Sequence, residues 1–102
     1  MQDLHNKSTD RLFKVIAGLK TEEECYAFFE DICTIKEIQD MVQRFDTAVL
    51  LDEGRSYNEI ADEVGISTAT ISRVNRCLAY GAGGYRAAID RMKKGGNKNG
   101  NK

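Results

Sequence analysis

The helical topology of this chain is indicated by residues 56–78, SYNEIADEVGISTATISRVNRCL. Two short helices that cross at a steep angle need a small residue at the crossing point and a tight joint between them. Ala61 supplies the small residue, and Gly65, four residues later, can adopt a positive φ at the joint without steric cost. The apolar residues that would join the two helices are Ile60, Val64, Ile66, Ile71, Val74 and Leu78. The pattern predicts a helix-turn-helix at about residues 57–76.

The second helix of this unit has an exposed face of unusual composition. Once the apolar positions are assigned to the core, the surface positions left are Ser67, Thr68, Ala69, Ser72, Arg73 and Arg76. Small residues allow close approach to a major groove, hydroxyl groups reach phosphates or base edges, and arginine can bind guanine through two nitrogens. No acidic residue occurs between Glu63 and Asp90. We expect this face to contact double-stranded DNA, with Ser56, Tyr57, Asn58 and Arg76 at the phosphates.

The charge of the chain is divided unevenly along its length. The formal net charge is −1, which taken alone argues against a nucleic-acid partner. Residues 1–64 carry a net charge of −8, whereas residues 65–102 carry +7. Such a polarity can repel phosphate on one side of a molecule and attract it on the other. The last stretch, GGNKNGNK, has no apolar side chain to bury, so residues 95–102 are predicted to form a disordered basic tail.

Sequence signals for helix starts recur before and after this unit. Ser8 or Thr9 can cap a first helix, and the second, third and fourth helices begin with capping boxes, at Thr21–Glu24, Thr34–Glu37 and Ser56–Glu59. Gly54 ends the third helix, Ser67 caps the fifth, and a short last helix runs from about Tyr85 to Lys94. Since the chain also lacks proline, these signals predict an all-α fold of about six helices. We assign residues 1–94 to one helical DNA-binding domain.

The sequence offers few groups for catalysis or metal binding. His5 is the only histidine, no CxxC pair exists, and no Ser-His-Asp or Cys-His arrangement can be assembled, so we expect neither an enzyme nor a metal site. Cys25, Cys33 and Cys77 are predicted to be buried, reduced thiols. No stretch approaches the roughly 20 apolar residues of a membrane span, and the N-terminus does not resemble a signal peptide. These features predict a cytoplasmic protein.

The segment from Gly65 to Leu78, centred on Ala69-Thr70-Ile71-Ser72-Arg73, resembles the recognition helix of the Trp repressor family. The capped third helix, from Thr34 to Gly54, is similar to the helix that precedes the helix-turn-helix there. The likeness covers about Phe13 to Met92 and is greatest to the YerC/YecD-type group of Trp-repressor-like proteins. It implies an intertwined homodimer, with two recognition helices about one DNA turn apart, and a transcriptional regulator that binds a near-palindromic operator.

The resemblance also implies a pocket for a small corepressor. In the family two arginines hold the indole ring of tryptophan, and the matching positions here are Arg44 and Arg73. Thr34 and Thr70 match threonines near the pocket and in the recognition helix. Two positions depart from the family: its glycine after the second arginine is Val74, and its serine that binds the amino group of the ligand is Cys77. A valine adds bulk and a thiol is a weaker hydrogen-bond partner, so both changes argue against tryptophan as a cofactor.

Two alternatives stay open from the sequence. The chain could be a helical protein–protein interaction module in which the hairpin serves as a scaffold. Arg44 could also be an ordinary surface residue that pairs with Asp40, four residues earlier on the same helix.

Overall fold

The computed structural model describes residues 4–100, with side chains as far as Gly95, and all regular secondary structure in this part of the chain is helical. The helices are α1 (Lys7–Ala17), α2 (Glu22–Ile32), α3 (Ile35–Asp52), α4 (Tyr57–Ile60), α5 (Thr68–Tyr80) and α6 (Gly84–Gly100). α4 continues directly into a single π-helical turn, Ala61–Gly65. The predicted all-α fold with a helix-turn-helix is confirmed. The contacts divide the chain into two compact units, Met1–Ile38 and Gln39–Lys102.

The helix starts are fixed by local side-chain hydrogen bonds. Thr34 and Ser56 form the capping boxes that the sequence predicts: each hydroxyl accepts the N–H of the residue three positions on, and each glutamate accepts the N–H of the cap. At α2 the Thr21 hydroxyl accepts from Glu24 N, but the Glu24 carboxylate accepts from Lys20 N. The predicted cap of α1 is wrong by two or three residues. Asn6 caps it, since its Oδ1 accepts the N–H of Thr9 at 2.9 Å.

The first unit leaves most of its apolar side chains uncovered. No residue of α1 or α2 is buried, although both helices carry apolar stripes. Phe13 of α1 is 58% exposed, and Ile35 at the start of α3 is 76% exposed. Phe28 and Phe29 form an edge-to-face pair, with ring centroids 5.5 Å apart, and are half-buried. Within a single chain these helices therefore lack the cover that apolar faces of this kind receive in a stable fold.

The second unit contains the core. Ala48 of α3, Val74 of α5 and Ile89 of α6 form its buried centre, and Ile60 and Ile71 are also fully buried. Five partly buried side chains pack around that centre: Phe45, Val49, Leu51, Leu78 and Tyr85. The predicted contact between the two helices of the helix-turn-helix is therefore made by Ile60, Ile71 and Val74, with the other three predicted residues half-buried.

An ionic cluster joins α3 to α6 at the edge of this core. Asp52 is only 11% exposed, and its two carboxylate oxygens lie 2.8 Å from Arg86 Nη2 and 2.6 Å from Lys93 Nζ. Hydrogen bonding to Lys93 and then to Arg86 lowers the pKa of Asp52, against the opposing effect of desolvation. Arg86 also contacts Asp90, four residues later on α6, at 3.3 Å. Two cations on α6 thus share one carboxylate on α3.

Three further predictions can be compared with these helices. α6 reaches Gly100, beyond the predicted end near Lys94. The predicted disordered tail, residues 95–102, lies almost wholly outside the described side chains and stays a prediction. The prediction of buried cysteines is wrong, since Cys25 and Cys77 are exposed and Cys33 is half-buried. Within residues 4–100, no helix has the length and apolar character needed to cross a membrane.

Candidate nucleic-acid interface

α5 has two faces that differ in burial. Ile71 and Val74 are buried against the core. The residues predicted to contact DNA from this helix are all exposed, and we call them together the α5 surface: Thr68, Ala69, Ser72, Arg73 and Arg76. Positions 69, 72, 73 and 76 follow the i, i+3, i+4, i+7 spacing of one helix face. At 1.5 Å per residue they span about 10 Å along the helix axis, the length of about three base pairs.

The joint before α5 fixes the start of this surface. Gly65 ends the π-helical turn with φ of 81°, a conformation that glycine adopts at little cost. Ser67 then caps α5 through its hydroxyl, which accepts the N–H of Thr70 at 3.2 Å and lies 3.1 Å from the Thr70 hydroxyl. Ser67 is exposed, as predicted for a DNA contact, but it also has this structural role.

The predicted phosphate contacts at the start of α4 differ in exposure. Ser56 and Asn58 are exposed, whereas Tyr57 is half-buried. The hydroxyl and the N–H of Ser56 both take part in the capping box with Glu59. The Ser56 hydroxyl therefore has its own proton left to donate to a phosphate.

Some cations of the second unit are paired with carboxylates, and others are not. Arg55 contacts Glu63 at 2.7 Å and Glu59 at 3.4 Å, and these contacts, the hydrogen bond to Glu63 foremost, raise its pKa. Arg86 and Lys93 share Asp52, as described above. Arg73 and Arg76, in contrast, are exposed and form no ion pair with a carboxylate in the described part of the chain. The two guanidinium groups of the α5 surface are therefore available to an external anion.

Two exposed residues of α5 were missed by the sequence analysis. Tyr80 is 87% exposed and follows Arg73 and Arg76 by seven and four positions, so it extends the same stripe toward the end of the helix. Asn75 is exposed at the edge of the stripe. The helical spacing that identified the α5 surface would have found Tyr80 if it had been continued to the end of α5.

The residues of the predicted ligand pocket have different surroundings. Thr34 caps α3 in the first unit, and Thr70 is half-buried beside Ser67. Arg44 and Cys77 are exposed, and both lie within electrostatic reach of the Tyr85 hydroxyl. Burial raises the pKa of Tyr85, the Cys77 thiol adds to that effect, and the Arg44 guanidinium opposes it. Of the five predicted pocket residues, Arg44 and Cys77 are thus the two that influence the pKa of Tyr85.

A cavity of about 460 Å³ lies elsewhere in the second unit. It is lined by Gln43, Phe45, Asp46, Val49, Leu50, Glu63, Val64 and Met92. None of the five predicted pocket residues lines it. Its charged groups are two carboxylates, so it is not suited to an anionic ligand. Across the described residues, no cluster of His, Cys, Asp or Glu side chains could hold a metal ion.

A helix-turn-helix with an exposed, acid-free second helix defines a DNA-binding class of fold, and comparisons with known proteins agree with this geometry. The model of the Trp repressor protein family matches residues 7–93. The uncharacterized protein YerC of Bacillus subtilis (strain 168) is 54% identical over 91 residues, which cover 89% of this chain and 88% of YerC.

Two solved structures have the same fold. A TrpR-like protein from Eubacterium eligens ATCC 27750 is 49% identical, with a TM-score of 0.85 over 88% of this chain and 93% of that one. A candidate Trp repressor from Staphylococcus aureus is 46% identical, with a TM-score of 0.84 over 88% of this chain and 90% of that one.

This chain belongs to the Trp repressor family, and within it to the YerC-type group. The family consists of regulatory DNA-binding proteins, and on that ground the prediction that the chain is not an enzyme is confirmed.

Proposed function

We propose that this protein is a homodimeric transcriptional regulator of the repressor type that binds a specific, near-palindromic operator in double-stranded DNA. The observation that carries the proposal is the contrast among the arginines. Arg55 and Arg86 are held by carboxylates of the chain, whereas Arg73 and Arg76 are exposed on α5 with no carboxylate partner in the described residues. A helix without acids that presents free guanidinium groups matches the chemistry of a DNA groove. The cytoplasmic location predicted from the sequence suits that function.

The residues of the site divide by role. Within the major groove, Thr68, Ala69 and Ser72 are small enough for close approach, and Arg73 can reach a guanine edge with two donors. Ser67, the N-cap of α5, meets the major groove with them. The phosphate backbone is held by Arg76 and by Ser56, Tyr57 and Asn58 at the start of α4. Sequence preference would therefore reside mainly in Arg73 and its small neighbours, and general affinity in Arg76.

A second copy of the chain is the partner that best accounts for the first unit. α1 and α2 keep their apolar faces exposed, as Phe13 of α1 and Tyr26 of α2 show. The fold class described for the family interlocks these helices between two chains, so that the uncovered faces become an internal core. A twofold dimer would set two α5 surfaces roughly 34–36 Å apart, the distance between half-sites one helical turn apart on DNA.

Selection of bound sites from random DNA, followed by affinity measurements on the selected operator, tests the proposal. Arg73→Ala should raise Kd by a factor of roughly 5 to 150, corresponding to about 1–3 kcal/mol, and should relax the preference at one base pair. Arg76→Ala should weaken operator and unrelated DNA alike. The matched control is Arg55→Ala, which removes the same side chain from a site where carboxylates already neutralise it.

The alternative, a protein–protein interaction module, makes a different prediction for salt. Binding through phosphates should weaken steeply as salt is added, because counterions return to the DNA. Binding through an apolar protein interface should depend on salt much less. An operator affinity that is unaffected by Arg73→Ala in a folded protein, together with a flat salt dependence, would exclude the DNA-binding proposal.

A further inference from the structure

We infer that this protein binds its operator without a tryptophan corepressor, because its own side chains Tyr85 and Val74 pack the core between the helices that carry Arg44 and Arg73, the residues the family resemblance assigns to the ligand. The inference rests on the proposed DNA-binding function. It depends on how Tyr85, Val74 and the described cavity are arranged.

The ring of Tyr85 is held in place from two sides. It stacks on Phe45 of α3, with ring centroids 6.5 Å apart and an angle of 27° between the planes. It also packs, half-buried, against the core centre formed by Ala48, Val74 and Ile89. A stacked pair of this kind fixes the position of both rings. Tyr85 is therefore a packed component of the second unit rather than a mobile surface side chain.

Tyr85 packs between the helices that carry groups assigned to the ligand. It stacks on Phe45, the residue after Arg44, and packs on the core centre that includes Val74, the residue after Arg73. Phe45 is on α3 and Val74 is on α5, so the tyrosine of α6 connects these two helices. In the family it is a bound indole that contacts the residues matching Arg44. Here an aromatic side chain of the protein packs against Phe45, the neighbour of Arg44.

Val74 of α5 fills space that a glycine at this position would leave open. Its side chain is 4% exposed and belongs to the buried centre of the core. The family has a glycine at this position, which would leave the volume of an isopropyl group open. The described cavity does not compensate for that loss of space, since it contains neither Arg44 nor Cys77 and carries Asp46 and Glu63. The residues present thus do not fit a tryptophan corepressor.

The geometry gives Tyr85 the role of a positioning residue. By packing its ring on Phe45 of α3 and on the core centre that includes Val74 of α5, it fixes the orientation of α5 before any DNA is bound. Because α5 is already held in place, a ligand could not raise the affinity for DNA by ordering this helix. DNA affinity should accordingly be present in the protein alone.

The test uses the full chain, unfolded in guanidinium chloride, dialysed to remove any bound small molecule, and refolded. Operator affinity is measured with and without millimolar L-tryptophan. Because the chain has no tryptophan, fluorescence anisotropy of the added amino acid reports its binding directly, with or without DNA. We expect the same operator Kd within about twofold in both conditions, and no change in anisotropy.

Two variants test the role of Tyr85 itself. Tyr85→Phe keeps the stack on Phe45 and should bind the operator as the wild type does. Tyr85→Ala should raise the operator Kd by about tenfold while the far-ultraviolet circular dichroism stays helical, and added indole should restore part of the loss by entering the vacated space. If Tyr85→Ala fails to fold, the tryptophan titrations of the wild type and of Tyr85→Phe still decide the question.

The outcomes separate this inference from the function on which it rests. Operator binding that appears only with tryptophan, or a saturable anisotropy change with the wild type, would overturn the inference and leave the DNA-binding proposal intact. An operator Kd that does not respond to Tyr85→Ala would overturn the positioning role. If the protein selects no DNA sequence in either condition, the proposed function fails, and the inference fails with it.

Discussion

At the level of single residues, Gly65 has the conformation that the helix-turn-helix requires. Its φ is 81°, and a Cβ atom added there would meet no heavy atom within 4 Å. A substitution would therefore cost conformational energy without a steric clash. We expect Gly65→Ala to lower the free energy of unfolding by about 1–2 kcal/mol, which urea denaturation monitored by circular dichroism would measure.

A second glycine provides the control for this prediction. Gly84 begins α6, has no positive φ, and is equally open around its Cβ position. Gly84→Ala should leave stability unchanged or raise it slightly, because it removes freedom from the unfolded chain. Equal effects of the two substitutions would mean that the left-handed conformation of Gly65 is not what the joint depends on.

The arginines show that the sequence does not reveal every ion pair of the folded chain. Arg55, Arg73 and Arg86 are identical letters, yet only Arg73 has no carboxylate partner in the described residues. The sequence predicted Arg73 correctly as exposed, since it lies on nearly the opposite side of the helix from the buried Ile71, two positions earlier. It could not have shown that Arg86 is bound to Asp52, because that contact spans 34 residues and depends on how α3 and α6 pack.

At the level of helices, the starts were predictable, whereas the contacts between helices outside the helix-turn-helix were not. A cap depends on residues three positions apart, so Thr34, Ser56 and Ser67 could be identified from spacing alone. The first cap was misplaced because Asn6, Ser8 and Thr9 are all suitable caps and the choice depends on the backbone of Asn6. The π-helical turn after α4 and the stacking of Tyr85 on Phe45 carry no local signal, so neither was foreseen.

The cluster that joins α3 to α6 predicts how stability depends on pH. The pKa of Asp52 is lowered in the folded protein, so its ion pairs stabilise the fold fully above the ordinary aspartate pKa of 3.8. That contribution is lost as the pH falls through the lower, folded-state value. Asp52→Asn should therefore destabilise the protein near neutral pH, and the difference from the wild type should shrink to nothing in strong acid. Urea midpoints measured from about pH 7 to about pH 2 would show this convergence.

Asp90 provides the matched control for this pH series. It contacts Arg86 within α6, but 58% of its side chain is exposed, so its ion pair is well screened by solvent. Asp90→Asn should change the urea midpoint little at any pH. A difference for Asp52→Asn that persists unchanged at low pH would show that the substitution acts through packing rather than through the charge of Asp52.

At the level of the whole molecule, charge and apolar surface are distributed in a way that suits a dimer on DNA. The net charge of −8 lies in residues 1–64, where α1 and α2 expose their apolar faces, and the +7 lies in residues 65–102 with the α5 surface. α1 and α2, which carry much of the acidic charge, would join a second copy, and the basic part would be attracted to the duplex. Affinity for a palindromic operator would then depend on assembly, because each chain supplies one recognition helix.

The last prediction tests this dependence on assembly. Phe13 is 58% exposed on the apolar stripe of α1, so Phe13→Glu should place a charge in the proposed interface. The loss expected for a central interface residue, about 2 kcal/mol or more, corresponds to a dimer Kd raised roughly 30-fold or more, which sedimentation equilibrium would measure. Lys14→Glu puts a glutamate at the next position, on the polar stripe, and should leave the dimer intact. Operator binding should fall with Phe13→Glu at concentrations where the dimer dissociates and recover at higher ones. A Phe13→Glu protein that stays dimeric, or a monomer that binds the full operator as tightly as the wild type, would contradict the proposed assembly.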